Sequence, residues 1–131
     1  IGSNFDDDIT GSGASNILQG QNGSDVLAGT TSVLAGSNEQ DILIGGGGSD
    51  RFILGDSSQA YYTASRDDDY VVVQDFDAST DVVQLHGVAS DYLQQQVGGD
   101  RHLRLAGSNE LVAIFSNTSN LVLTGTGVEF V

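Results

Sequence analysis

The sequence predicts an all-β fold in two consecutive parts, strands stacked on glycine-rich turns and then a run of β-hairpins. Three observations carry this. Residues 36–53 read as two nine-residue units in one register, Gly36-Ser37-Asn38-Glu39-Gln40-Asp41-Ile42-Leu43-Ile44 and Gly45-Gly46-Gly47-Gly48-Ser49-Asp50-Arg51-Phe52-Ile53. Each unit has glycine first, aspartate sixth and a large apolar residue eighth. The chain holds 18 glycines and no proline, a composition suited to repeated turns between strands. Beyond residue 54 the repeat stops, and short β-type apolar runs recur between clusters of turn residues.

The register extends backwards through Gly20–Ala28, Gly11–Gln19 and Gly2–Thr10, with a seven-residue unit, Gly29–Ala35, interposed. The first position is glycine in all six units: Gly2, Gly11, Gly20, Gly29, Gly36 and Gly45. The eighth is Ile9, Leu18, Leu27, Leu34, Leu43 and Phe52, and the sixth is Asp7, Asn16, Asp25, Ser32, Asp41 and Asp50. The unit at Gly2 carries Phe5 at the fourth position, where the units at Gly20 and Gly45 have a second turn glycine, and the short unit has lost both that glycine and the aspartate.

A glycine-rich nonapeptide with aspartate sixth resembles the hemolysin-type calcium-binding (RTX) repeat family, and the resemblance covers about the first 53 residues. It implies a calcium-binding parallel β-roll (a β-solenoid) over residues 1–55, in which two repeats make one coil and successive coils stack as parallel strands. Alternation along each short strand points the eighth side chain inward, so the interior is one file of side chains per sheet. One buried side chain per unit cannot offset the backbone entropy of nine ordered residues. Aspartates and turn carbonyls make a hard, all-oxygen environment that suits Ca²⁺, and calcium is the expected additional source of stability.

In the RTX family each ion sits between turns two repeats apart. Carried over, that places metal ligands at Asp7, Asp25, Asp41 and Asp50, with the turn residues Gly20, Asn22, Gly23, Gly36, Asn38, Gly45, Gly46 and Gly48 around them. One ion is then shared by the turns of Asp7 and Asp25 and another by those of Asp25 and Asp41. The opposite edge, Asn16, Ser32 and Asp50, has a gap at Ser32, and Asp67-Asp68-Asp69 are the candidates to complete a site with Asp50.

Past the repeats, Gly55–Arg66 reads as a polar loop. Six β-type runs then follow, at 70–75, 81–86, 92–97, 103–106, 111–115 and 121–124, separated by turn sequences such as Gly98-Gly99-Asp100. Even spacing of this kind predicts an antiparallel β-rich C-terminal cap over residues 56–131, packed on the roll. Val71–Phe76, a turn and Asp81–Leu85 are similar to the strand-turn-strand after the repeats of type I-secreted proteins. The end, Val128-Glu129-Phe130-Val131, resembles their acidic-then-apolar termini. The start at Ile1-Gly2, already in register, reads as a cut from the C-terminal side of a longer secreted protein.

Composition narrows the function. Eighteen acidic residues against four arginines and no lysine give a net charge of −14, which disfavours nucleic acid and anionic membranes as partners. No cysteine is present, so disulfides and thiolate metal sites are excluded. His86 and His102 come without an HExxH or GxSxG pattern, and no catalytic residues or enzyme activity are expected. Asp75, Asp77 and Asp81 lack the glycine and glutamate of an EF-hand loop and read as a hairpin turn.

The expectation is a calcium-binding RTX domain that folds on extracellular Ca²⁺ and serves as the C-terminal secretion and folding module of a larger protein. Its expected partners are calcium ions, the upstream passenger and a type I exporter. The alternative is an extracellular polysaccharide-binding or adhesion module that uses calcium for rigidity, the use that similar repeats have in alginate epimerases and large adhesins. Arg101, His102 and Arg104 are then the residues to meet an acidic sugar. Ice binding would need a regular threonine file, which Thr10, Thr30 and Thr31 do not make.

Overall fold

The computed structural model describes residues 1–31, 38–119 and 121–131. The described residues form eleven strands: β1 (Asp8–Thr10), β2 (Ile17–Asn22), β3 (Val26–Ala28), β4 (Gln40–Gly47), β5 (Arg51–Ile53), β6 (Tyr70–Val73), β7 (Val82–Leu85), β8 (Tyr92–Val97), β9 (Asp100–Leu105), β10 (Leu111–Phe115) and β11 (Val128–Phe130). They make two sheets. One has five strands in the order β1-β3-β5-β7-β11, and the other has six in the order β2-β4-β6-β10-β9-β8.

From β1 to β8 the chain alternates between the sheets; β8, β9 and β10 then follow one another in the second, and β11 returns to the first. Every pairing in the first sheet is parallel, as are β2-β4, β4-β6 and β6-β10 in the second. Only β10-β9 and β9-β8 run antiparallel.

Register follows the inward residues. In the first sheet Ile9, Leu27, Phe52, Val83 and Val128 lie opposite one another in sequence across the five strands. In the second Leu18, Leu43, Val73 and Phe115 do the same. A one-residue slip would turn each file to solvent, so burial of these residues specifies the pairing. Phe76 lies with its ring edge-on to both Phe52 (6.3 Å) and Phe115 (5.5 Å), joining the two files.

This corrects the expected parallel β-roll with a separate antiparallel cap. The all-β class holds, but the molecule is a pair of sheets, one wholly parallel and one mixed, and both run across residue 55. The reason lies in the edges. After β4 and β5 the open edges carry unpaired N–H and C=O groups, and β6 and β7, with inward Val71, Val73, Val83 and Leu85, satisfy them in parallel. β10 and β11 repeat the step on β6 and β7. The antiparallel part is confined to β8 and β9, a hairpin inserted before β10.

β3 lies in the first sheet and β4 in the second, and residues 32–35 of the seven-residue unit between them lie outside the described residues. Leu34 lies outside the described residues.

Candidate metal centre

The turns that lead from the second sheet to the first share one edge, and their aspartates form a column. The Asp7 N–H donates to Asp25 Oδ1 (2.8 Å), the Asp25 N–H to Asp50 Oδ1 (3.0 Å) and the Asp50 N–H to Asp81 Oδ1 (3.1 Å). The second oxygens turn back into their own turns, where Asp7 Oδ2 accepts the Ser3 N–H (2.5 Å) and Asp81 Oδ2 the Asp77 N–H (2.9 Å). Asp25, Asp50 and Asp81 are buried. Burial pushes the Asp50 carboxyl above its ordinary range, a hydrogen bond from the Asp25 backbone opposes this, and the charges of Asp81, Asp25 and Asp75 add to it.

Glycine is what lets these turns stack. Gly46 (φ 103°) and Gly48 (φ 130°) have left-handed backbones, and a Cβ on either would run into the carbonyl oxygen of Gln21 or Gly23 in the turn beneath. A Cβ on Gly20 would meet Asp25 Oδ2 and, at 2.6 Å, the Gly45 carbonyl oxygen. Carboxylate and carbonyl oxygens of successive turns thus crowd into one cradle. Asp25 Oδ2, on a residue 1% exposed, has no hydrogen-bond partner. An orphaned, buried, acceptor-only oxygen beside glycine carbonyls fits a hard cation.

Around this column the other expected turn residues fall into place. Gly23 (φ 127°) packs its backbone against Phe5, and its N–H donates to the Gly47 carbonyl (2.9 Å). Phe5 itself is exposed, so its bulk meets no obstacle. Asn22 is exposed, its side-chain amide donating to Asn4 Oδ1 (2.8 Å). The Gly45 and Gly46 N–H groups donate to Asp75 Oδ1 (2.9 Å) and Oδ2 (2.8 Å).

Asp41 stands on the opposite edge. Its Oδ1 accepts the Asn16 N–H (2.7 Å) and its Oδ2 the Tyr62 hydroxyl (2.6 Å), so the structure brings it to Asn16 and not to Asp25. The neighbour of Asp25 in its column is Asp50. Asn38 (φ 65°) is exposed near this edge, and Gly36 and Ser32 lie outside the described residues.

Glu39 and Asp69 are buried beside Asp41. Burial first, and then the neighbouring carboxylates of Asp41 and Asp69, push the Glu39 carboxyl up to about 8. Burial likewise raises Asp69 and, with Asp41 as acceptor, Tyr62.

The acidic triplet does not act as one group. Asp67 pairs with Arg104 (2.9 Å) and accepts the Leu111 N–H (3.1 Å), which hold its carboxyl below the usual range. Asp68 is exposed, and Asp69 is turned inward. None completes a site with Asp50, whose partner is Asp81. His86 Nδ1 is 2.7 Å from the Asp56 carbonyl, and burial lowers the His102 imidazole on β9. Among the described residues no three His, Cys, Asp or Glu side chains form a ready ligand group, so an ion in these turns would draw on carbonyl oxygens as well.

Asp75, Asp81, Glu39 and Asp69 are the site residues that the repeat register misses. A signal for two of them was present: Asp81-Val82-Val83 and Asp69-Tyr70-Val71 repeat the spacing of Asp25-Val26-Leu27, with aspartate two residues before an inward side chain.

No protein-family model matches the chain, and no curated protein matches its sequence. Its fold matches the solution structure of the AlgE6R3 subunit from the Azotobacter vinelandii mannuronan C5-epimerase, with a TM-score of 0.50. The likeness is one of fold. Sequence identity is 20%, over 98% of this chain and 80% of that one. No helix of the described residues is long and apolar enough to cross a membrane.

Proposed function

We propose that the chain is a calcium-binding, RTX-like module whose folding is coupled to ions entering the turns of the Asp7, Asp25, Asp50 and Asp81 column. The observation that carries this is the column itself. Carboxylates stacked at strand spacing, roughly 5 Å apart, repel by about 3 kcal/mol per pair at an effective dielectric of ~20. Asp25, Asp50 and Asp81 are buried, and Asp25 Oδ2 has no donor. A divalent cation removes the repulsion and supplies the missing partner.

Such a module is loose where calcium is scarce and ordered where it is millimolar, above the roughly 10⁻⁴ to 10⁻³ M dissociation constants of extracellular modules. Binding then becomes folding free energy. This suits a secreted protein that is threaded unfolded through a type I exporter and folds outside, with this chain as its folding and secretion module and with no catalysis of its own. Far-UV circular dichroism in chelator should show lost β signal that returns on adding calcium. Asp25→Asn should raise the calcium midpoint several-fold, and Asp68→Asn, on an exposed carboxylate, should leave it unchanged. A spectrum indifferent to chelator would remove the reading.

A second reading, an extracellular polysaccharide-binding or adhesion module stiffened by calcium, is favoured by a different observation. A surface cavity of about 370 Å³ is lined by Arg66 and Arg104 together with Asp67, Asp68, Asn109 and Glu110, and the similar fold belongs to a mannuronan epimerase subunit. Retention on an alginate-type polymer in calcium, lost in Arg66→Ala, would support it.

A further inference from the structure

Glu39 occupies the fourth place of its unit, where the units at Gly20 and Gly45 have Gly23 and Gly48. It precedes β4 by one residue, and Asp69 precedes β6 by one. The parallel register pairs Gln40 with Tyr70 and Asp41 with Val71. One step earlier, Glu39 and Asp69 stand side by side, fixed by the Tyr70 N–H donating to the Glu39 carbonyl (3.0 Å).

Alternation puts Glu39 and Asp41 on one face, and the face is interior. Glu39, Asp41 and Asp69 are 2%, 0% and 1% exposed. Asp41 is satisfied by Asn16 and Tyr62, and Asp69 Oδ2 accepts the Ala64 N–H (3.3 Å). Three oxygens remain: Glu39 Oε1, Glu39 Oε2 and Asp69 Oδ1 are buried with no hydrogen-bond partner. Two of the four arginines are paired elsewhere, Arg51 with Glu129 (2.8 Å) and Arg104 with Asp67. Buried carboxylate oxygens without a donor are costly, and three of them from two adjacent side chains point to a missing cation.

We propose that a calcium ion binds between Glu39 and Asp69, on the edge opposite the aspartate column. The inference rests on the reading of the chain as a calcium-binding module and adds to it a site of a different kind. Two side-chain carboxylates on paired strands hold this ion, and backbone carbonyls and water complete its six to eight oxygens. The Asn16 N–H and the Tyr62 hydroxyl occupy the two Asp41 oxygens, so Asp41 is a neighbour of this site and not one of its ligands.

Equilibrium dialysis of the full chain in calcium counts bound ions. Glu39→Gln/Asp69→Asn should bind one ion fewer than the parent chain, and Asp25→Asn should keep this site while losing calcium from the column. An equal count in the parent and the double variant would overturn the proposal and leave the function standing. Loss in the double variant alone, with Asp25→Asn unchanged, would keep the site and overturn the column. A second readout needs no folded variant. The chain has three glutamates, Glu39, Glu110 and Glu129, so with ¹³C-glutamate the Glu39 carboxyl resonance, identified by its absence in Glu39→Gln, should shift when strontium replaces calcium in the folded chain. No shift in that resonance would overturn the proposal.

Discussion

Gly46 and Gly98 both have left-handed backbones, at φ 103° and φ 60°, but Gly46 is packed against the Gln21 carbonyl while Gly98 has open space where a Cβ would go. Gly98→Ala should therefore cost only the left-handed penalty of about 1 kcal/mol, and Gly46→Ala that penalty plus a forced separation of two turns, about 3 kcal/mol or more. Urea titration of both variants in calcium compares them, and equal losses would show that the turns are not in close contact. Glu39 makes a residue-level prediction of another kind. Its folded carboxyl is raised from 4.5 to about 8, so its favourable contribution is complete below pH 4.5 and is lost as pH rises through 8. Asp50 and Asp69 are raised too and act with the same sign. In chelator the residual β signal should therefore be greatest at low pH, where protons neutralise these carboxyls, and should fall as pH rises from 4.5 to 8, each tenfold of raised affinity for the proton being worth about 1.4 kcal/mol. Glu39→Gln should flatten that dependence in circular dichroism, and a dependence unchanged by the substitution would place the strain elsewhere.

At the scale of strands, the interior was the most legible part. Ile9, Leu18, Leu27, Leu43 and Phe52 occupy the eighth place of their units, and strand alternation turns each of them inward. Pairing beyond residue 55 was less legible. The alternation of Val71 with Val73 and of Val83 with Leu85 serves a hairpin and a parallel addition equally well, and the choice is made by open edges on β4 and β5, distant in sequence. The candidate site divides in the same way. Asp7, Asp25 and Asp50 were found from spacing, but the two-residue shortfall of Gly29–Ala35 breaks the register that decides which of them stack. Asp50 takes the place next to Asp25 in the column, and Asp41 stands on the opposite edge. The turn from Asp75 to Asp81 escaped the register because it has no glycine: its aspartates accept from the Gly45, Gly46 and Asp50 backbones, while the glycines needed for close approach are in the turn below.

Over the whole molecule, a chain of net charge −14 closes around an interior in which the two ends of the sequence depend on one another. Residues 1–55 contain most of the glycine turns, but their partners come from later. Asp50 loses Asp81, Gly45 and Gly46 lose Asp75, and Asp41 loses Tyr62 if the chain is cut there. Phe52 would lose Val83 and the ring of Phe76, and β4 and β5 would each present a bare edge. Removing cover from a buried aromatic residue costs about 3 to 5 kcal/mol, a large part of the roughly 5 to 15 kcal/mol by which a domain is stable. The separate fragment 1–55 should therefore remain disordered at millimolar calcium, at which the full chain is folded, and should gain β structure only when residues 56–131 are supplied. Circular dichroism and amide chemical-shift dispersion measure this directly. A fragment that folds alone, at the calcium midpoint of the full chain, would show that the first half carries its own stability and that the later strands only extend it.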